Sequence, residues 1–129
     1  MLPIVYTKKG FETELFLGGE LSLGSIIMVI DDDKEIVNVL STLLKNYGFT
    51  SITASNGAAA LEKLKKCPIP ALILTDYVMP ILNGYEFVEK ISTYKQFNDI
   101  PVVMITGSEV DDLRLPSTSN FKGIIQKPF

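Results

Sequence analysis

The sequence predicts an α/β fold, an open, doubly wound parallel sheet of five strands with helices on both faces. Three observations carry that reading. Short apolar runs alternate with stretches of helical spacing from Ile26 onward. The connections between them are short, and polar residues recur where the apolar runs stop. Strand–helix alternation of this kind gives parallel strands joined by right-handed crossovers. Such sheets bind ligands beyond the carboxyl ends of their strands.

The elements follow in order. Ile26 to Ile30 is a β-branched run ending at Asp31, the pattern of a strand buried on both faces. Ile36, Leu40, Leu43, Leu44 and Tyr47 then recur at helical spacing, and Gly48 stops the helix. Ser51 to Ala54 is a second strand. Asn56 is placed to cap a helix carrying Leu61 and Leu64, which ends before Pro68. Ala71 to Leu74 is a third strand, leading into Thr75 and Asp76. A loop with Pro80 and Gly84 precedes a helix with Phe87, Val88 and Ile91. Pro101 to Ile105 is a fourth strand, followed by Thr106 and Gly107. Glu109 to Leu115 reads as a short helix stopped by Pro116, and Lys122 to Gln126 as a fifth strand ending at Lys127. Residues 1–24 stand apart as an extension or linker to a domain over residues 25–129. Val5 to Thr7 and Thr13 to Leu17, around Lys9-Gly10, suit a small hairpin, a linker or part of another element.

Composition narrows the function. The chain has 129 residues, enough for one domain with a core. With 47% hydrophobic and 21% charged residues it is globular rather than disordered. The longest apolar runs are too short to span a bilayer, and the N-terminus lacks the pattern of a secretory signal. A net charge of −3 argues against a nucleic-acid footprint. Cys67, the single cysteine, cannot form an internal disulfide, which suits a reducing cytoplasm. The sequence contains no histidine, so histidine-based nucleophile activation and most zinc sites are excluded. Any chemistry must run on carboxylates, hydroxyls, lysine and a hard metal ion.

The residues suited to that chemistry stand at strand ends. Asp31, Asp32 and Asp33 follow the first strand, Asp76 the third, Thr106 the fourth and Lys127 the fifth. Parallel strands bring these ends to one rim. Carboxylates crowded together repel, and a divalent cation resolves the repulsion. Oxygen-only ligands favour magnesium or calcium over zinc. A carboxylate can also attack phosphorus to form an aspartyl phosphate, with metal, ammonium and hydroxyl neutralising the equatorial oxygens. Taken singly, these residues suit humbler roles. Acidic residues at a helix start are commonly caps, Asp76 suits a turn, Thr106 a strand-end turn and Lys127 a solvated charge.

Together, Val29-Ile30-Asp31-Asp32-Asp33, Asp76-Tyr77-Val78-Met79-Pro80 with Asn83-Gly84, Thr106-Gly107 and Lys127-Pro128-Phe129 resemble the receiver domain of two-component response regulators. The resemblance covers residues 26–129. Asp32 and Asp76 are 44 residues apart, Asp76 and Thr106 are 30 apart, and Thr106 and Lys127 are 21 apart. It implies a flavodoxin-like sheet of order 2-1-3-4-5. It makes Asp76 the phosphoacceptor and Mg2+ the cofactor. Asp32 is then a direct metal ligand, Asp31 a ligand acting through water, and Val78 a donor of its backbone carbonyl. Thr106 reaches for the phosphoryl group, Lys127, with a cis peptide bond to Pro128, pairs with it, and Asp33 caps the first helix. Val78 and Ser108 occupy positions that tune the attacking water, and Met79 packs.

Three departures from the family bear on output. The fifth helix is lacking, which we read as C-terminal truncation, with a homodimer as one consequence. Ile124 stands where an aromatic residue is usual in the fifth strand. Asp112, Arg114 and Pro116 break the fourth helix. The resulting expectation is a cytoplasmic signalling module, not an enzyme. A histidine kinase or phosphotransfer protein donates phosphate and a downstream effector protein or domain receives the signal, without direct contact to nucleic acid or membrane. Two other readings stand beside it. One is a receiver-like scaffold that is not phosphorylated. The other is a haloacid-dehalogenase-like phosphatase using the Asp-x-Asp pattern of Asp31 to Asp33.

Overall fold

The structure is a computed structural model, described here over residues 5–7, 10–12, 24–107 and 112–127. Its strands are β1 (Val5–Thr7), β2 (Gly10–Glu12), β3 (Ile26–Ile30), β4 (Thr50–Ala54), β5 (Leu72–Asp76), β6 (Val102–Thr106) and β7 (Phe121–Gln126). Its helices, among the described residues, are α1 (Lys34–Asn46), α2 (Gly57–Lys66) and α3 (Gly84–Ser92). Seven strands form one sheet in the order β2-β1-β7-β6-β5-β3-β4. The five from β3 onward are mutually parallel. Numbered among themselves they follow the expected order 2-1-3-4-5.

Each face of the sheet has its own core. Met28, Ile30, Ile73, Met104 and Ile124 point to one side and pack with Leu61 and Leu64 of α2 and Phe87, Val88 and Ile91 of α3. Ile27, Val29, Leu72, Leu74, Val103 and Ile105 point to the other side, toward Leu40 of α1. Strand residues alternate between faces. Burial on both faces therefore demands the continuous apolar runs seen in the sequence.

The helix starts are chemically specified. The Asp33 carboxylate accepts from the Glu35 N–H at 2.9 Å, and Asn56 Oδ1 accepts from the Ala59 N–H at 2.8 Å. Asn83 and Glu86 form a reciprocal capping box at α3. Gly48 closes α1 with φ at +89°, a conformation glycine adopts without steric cost.

Two expectations are corrected. Leu43 and Tyr47 do not face the core: they are 45% and 67% exposed, while Leu40 is buried and Ile36, Val37 and Leu44 are partly buried. A lone helix on a sheet buries a narrow stripe, and Leu43 and Tyr47 fall on its flank. The short helix expected over Glu109–Leu115 falls in large part on residues 109–111, which lie outside the described residues. Asp112 lies in a 3₁₀ turn and Leu113 to Ser117 are irregular. Pro116 disfavours helical backbone at Leu115, consistent with that ending. The N-terminal hairpin closes earlier than expected, pairing Val5–Thr7 with Gly10–Glu12. Thr7 and Gly10 are partners, so two residues connect the strands, and a connection that short pins the register. Thr13 to Leu17 lie outside the described residues. The hairpin docks on β7, antiparallel, through Val5↔Ile125 and Tyr6↔Ile124.

Ile81, in the loop between β5 and α3, has φ at +74° and is 74% exposed. A β-branched residue in the left-handed region is strained by roughly 1–2 kcal/mol, and its exposure means little burial offsets the cost. Ile81→Gly is expected to raise stability by about 1 kcal/mol, after allowing for the backbone entropy of glycine. The midpoint of urea unfolding checks this.

Candidate functional site

Because β3, β5, β6 and β7 run the same way, their carboxyl ends share one rim. Asp31 follows the last residue of β3, Asp76 ends β5, Thr106 ends β6, and Lys127 follows the last residue of β7. Asp31, Asp76 and Thr106 are buried, and Asp32 is exposed. The side chains are fixed by local bonds. The Asp31 N–H donates to the Ala54 carbonyl at 3.1 Å, and Asp31 Oδ1 accepts from the Asp33 N–H at 2.9 Å. The Lys127 N–H donates to the Thr106 carbonyl at 2.8 Å, which extends the β6–β7 ladder to the rim and sets where the lysine emerges.

The loop after β5 is held equally closely. The Tyr77 N–H donates to Asp76 Oδ1 at 2.8 Å, and the Thr75 hydroxyl donates to the Asp76 carbonyl at 3.0 Å. The Gly84 N–H returns to the Tyr77 carbonyl at 2.7 Å. A Cβ on Gly84 would lie 2.7 Å from the Asp76 carbonyl oxygen and 3.0 Å from Tyr77 Cα. Glycine is therefore required for α3 to start against the end of β5. Met79 turns inward and is buried with the α2–α3 core, as expected. Val78 exposes 63% of its surface.

One carboxylate oxygen from each of Asp31, Asp32 and Asp76 lies within 4.8 Å of the others. Lys127 Nζ sits 3.1 Å from Asp31 Oδ2 and 3.7 Å from Asp76 Oδ1. Burial and the neighbouring Asp31 charge push the Asp76 carboxyl up from its ordinary 3.8 to about 6, with a further push from Asp32. Lys127 and the Tyr77 N–H act in the opposite sense without cancelling the rise. The rim thus holds excess negative charge around a nucleophile-capable carboxylate. Its oxygen-only donor set suits a hard divalent cation.

Five of the residues singled out from sequence, Asp31, Asp32, Asp76, Thr106 and Lys127, come together here. Ser108 and Pro128 lie outside the described residues. The sequence reading includes Tyr77 within the motif after Asp76 but gives it no role. Its N–H holds the Asp76 carboxylate, and its hydroxyl meets Arg114, 37 residues away. Nothing local signals a partner 37 residues away.

The raised pKa has a definite consequence for stability. The folded protein holds the Asp76 proton more tightly than the unfolded chain does, so this contribution is complete below about pH 3.8 and is lost as pH rises through about 6. With EDTA present, Asp76→Asn should match wild type near pH 4 and exceed it by about 2 kcal/mol near pH 8, after reduction for solvent screening at the rim. Urea unfolding at several pH values reads the difference.

The sequence matches the response regulator receiver domain family over residues 27–129. It is 40% identical over 89 residues to a transcriptional regulatory protein, the CpxR homolog of Haemophilus influenzae, covering 67% of this chain and 37% of that protein. It is 33% identical over 105 residues to hybrid signal transduction histidine kinase D of Dictyostelium discoideum, covering 81% of this chain and 7% of that protein. The chain therefore spans well under half of these relatives. Among solved structures, the N-terminal domain of a response regulator receiver protein from Methanoculleus marisnigri JR1 is similar, with 36% identity and a TM-score of 0.69. That match covers 81% of this chain and 85% of the other. Chemotaxis protein CheY4 of Vibrio cholerae, at 27% identity, superposes with a TM-score of 0.74 over 82% of this chain and 88% of its own. Among the described residues, no helix is long and apolar enough to cross a membrane. Fold, rim and relatives agree: the chain belongs to the response regulator receiver domain family, a family of regulatory domains of two-component signalling.

Proposed function

We propose that Asp76 is the phosphoacceptor of this chain and that Mg2+ is held by Asp31, Asp32, Asp76 and the Val78 carbonyl. The observation that carries the proposal is the gathering of three carboxylates and the Lys127 ammonium at one rim. The donors fit a hard cation: all are oxygens, and Asp76 bears a repulsion that Lys127 alone does not cancel. Magnesium, when bound, neutralises charge on the transferring phosphoryl group.

The residues of the chain do the rest. At neutral pH Asp76 is mostly ionised, so a carboxylate oxygen is available to attack phosphorus. The bond from phosphorus to the donor breaks, either to a histidine nitrogen of a kinase or phosphotransfer protein or to the oxygen of an acyl phosphate. The donor departs with the electron pair. Lys127 then pairs with a phosphoryl oxygen, and the Thr106 hydroxyl turns to donate to another. Displacement of Thr106 favours the conformation bound by a downstream effector protein or domain. Relatives that include a hybrid histidine kinase and a transcriptional regulatory protein support a protein donor and a protein or domain output. The module acts in the cytoplasm in this reading. In this reading the module itself contacts neither nucleic acid nor membrane. Homodimerisation is compatible with it.

Incubation with magnesium and acetyl phosphate, followed by intact-mass analysis, tests the reading. A gain of one phosphate in wild type, absent in Asp76→Asn and lost with EDTA, is expected. No gain in wild type would leave a partner-binding scaffold. Turnover of a phosphate ester that survives Asp76→Asn but not Asp31→Asn would establish the phosphatase reading instead. Magnesium should also raise the melting temperature of wild type. Asp32→Asn should weaken that linkage about tenfold or more in apparent affinity, equivalent to about 1.4 kcal/mol for the lost ligand.

A further inference from the structure

Tyr77 connects the phosphoacceptor to a segment that the chemistry above does not use. Its N–H donates to Asp76 Oδ1, and its ring packs against the α2–α3 core. Its hydroxyl donates to the Arg114 carbonyl at 3.1 Å and accepts from the Arg114 N–H at 3.2 Å. A phenol has one proton to give and lone pairs to receive, so a single side chain grips both backbone groups of one residue. The Arg114 guanidinium lies over the Tyr85 ring of α3, 4.5 Å from its centroid, a cation–π contact. Leu113 packs against the same core, and Pro116 is buried. Irregular backbone over Leu113–Ser117 is thus fastened to the Asp76 loop and to α3 by side chains rather than by a helix of its own.

We propose that Tyr77 is a latch that holds the Arg114 segment while Asp76 is a free carboxylate and releases it when Asp76 is phosphorylated. This rests on Asp76 being the phosphoacceptor. Among the described residues, the Tyr77 N–H and the Lys127 ammonium face Asp76 Oδ1 with positive charge. Phosphorylation turns the carboxylate into an acyl phosphate and moves the charge onto the phosphoryl oxygens. Lys127 follows the charge. The Tyr77 N–H loses an anionic acceptor and keeps at most a weaker neutral carbonyl. Freed at its backbone, Tyr77 no longer presents its hydroxyl to Arg114, and the segment over Asp112–Thr118 becomes available to a partner. In the fifth parallel strand, where the family usually carries an aromatic ring, Ile124 is buried and has no ring to rotate. Tyr77, packed against the same core as Ile124, supplies an aromatic route from the phosphoacceptor.

Hydrogen exchange by mass spectrometry on the full chain tests the latch. Wild type and Tyr77→Phe are compared with and without magnesium and acetyl phosphate, with phosphate load read by intact mass on the same samples. Tyr77→Phe removes the hydroxyl and keeps the ring and the N–H. Without phosphodonor, its amides over Asp112–Thr118 should exchange roughly tenfold faster than those of wild type, the loss expected for net hydrogen bonds of ordinary strength. Phosphorylated wild type should reach the same rate, and phosphorylated Tyr77→Phe should gain little more. Arg114→Met, which keeps the backbone bonds, should show a smaller rise. Unchanged exchange across β5 shows that the fold is intact in each variant. Equal protection of unphosphorylated Tyr77→Phe and wild type would overturn the latch. So would phosphate-loaded wild type whose segment stays protected. A wild type that takes up no phosphate overturns the phosphoacceptor reading itself, which the mass measurement reports separately from the exchange rates.

Discussion

The constraint on which the rest of the molecule depends is the confinement of three carboxylates and one ammonium at the carboxyl rim of a parallel sheet. Charge of one sign gathered in a poorly solvated place is costly, and a fold keeps it only where other forces over-determine the geometry. Here the Asp33 N–H and Lys127 hold Asp31, the Tyr77 N–H and Lys127 hold Asp76, and the β6–β7 ladder holds Lys127. Two apolar layers, one on each face of the sheet, keep the four strand ends in register. The burial that makes Asp76 a stronger base than an ordinary aspartate is the burial that builds the core.

The strand that carries Lys127 is paired on both sides. β6 lies along one edge and the β1–β2 hairpin along the other, meeting β7 at Ile124 and Ile125, just before the lysine. An unpaired edge strand presents a row of free backbone groups, and an antiparallel partner removes that liability. Among the described residues, Val5 and Tyr6 pair with Ile125 and Ile124, at the end of β7 that leads to Lys127.

Much of this was readable in the residues, for physical reasons that can be named. A parallel sheet buried on both faces needs unbroken apolar strands, and polar residues at their ends must then mark the rim. Asp33 and Asn56 announce helix starts because their short side chains complete free backbone N–H groups. What escaped reading depends on contacts distant in sequence or on one backbone angle. Leu43 and Tyr47 match the helical period of α1, yet period alone does not say how wide a stripe the sheet covers. The positive φ of Ile81 contradicts the preference of its side chain and follows from the path between β5 and α3. The Tyr77–Arg114 pair spans 37 residues, so no local pattern announces it. The hairpin was visible as a possibility, but its strand bounds were set by a two-residue connection and by docking on β7.

The position of the modified residue is the most direct test of the account. An aspartyl phosphate is reduced by borohydride to homoserine, and tandem mass spectrometry of the digested protein locates that residue. Homoserine at position 76 alone, formed only when magnesium and phosphodonor were both present, is the result the account predicts. Homoserine at position 31 or 32, or none at all from protein that had gained a phosphate, would contradict it and move the chemistry away from Asp76.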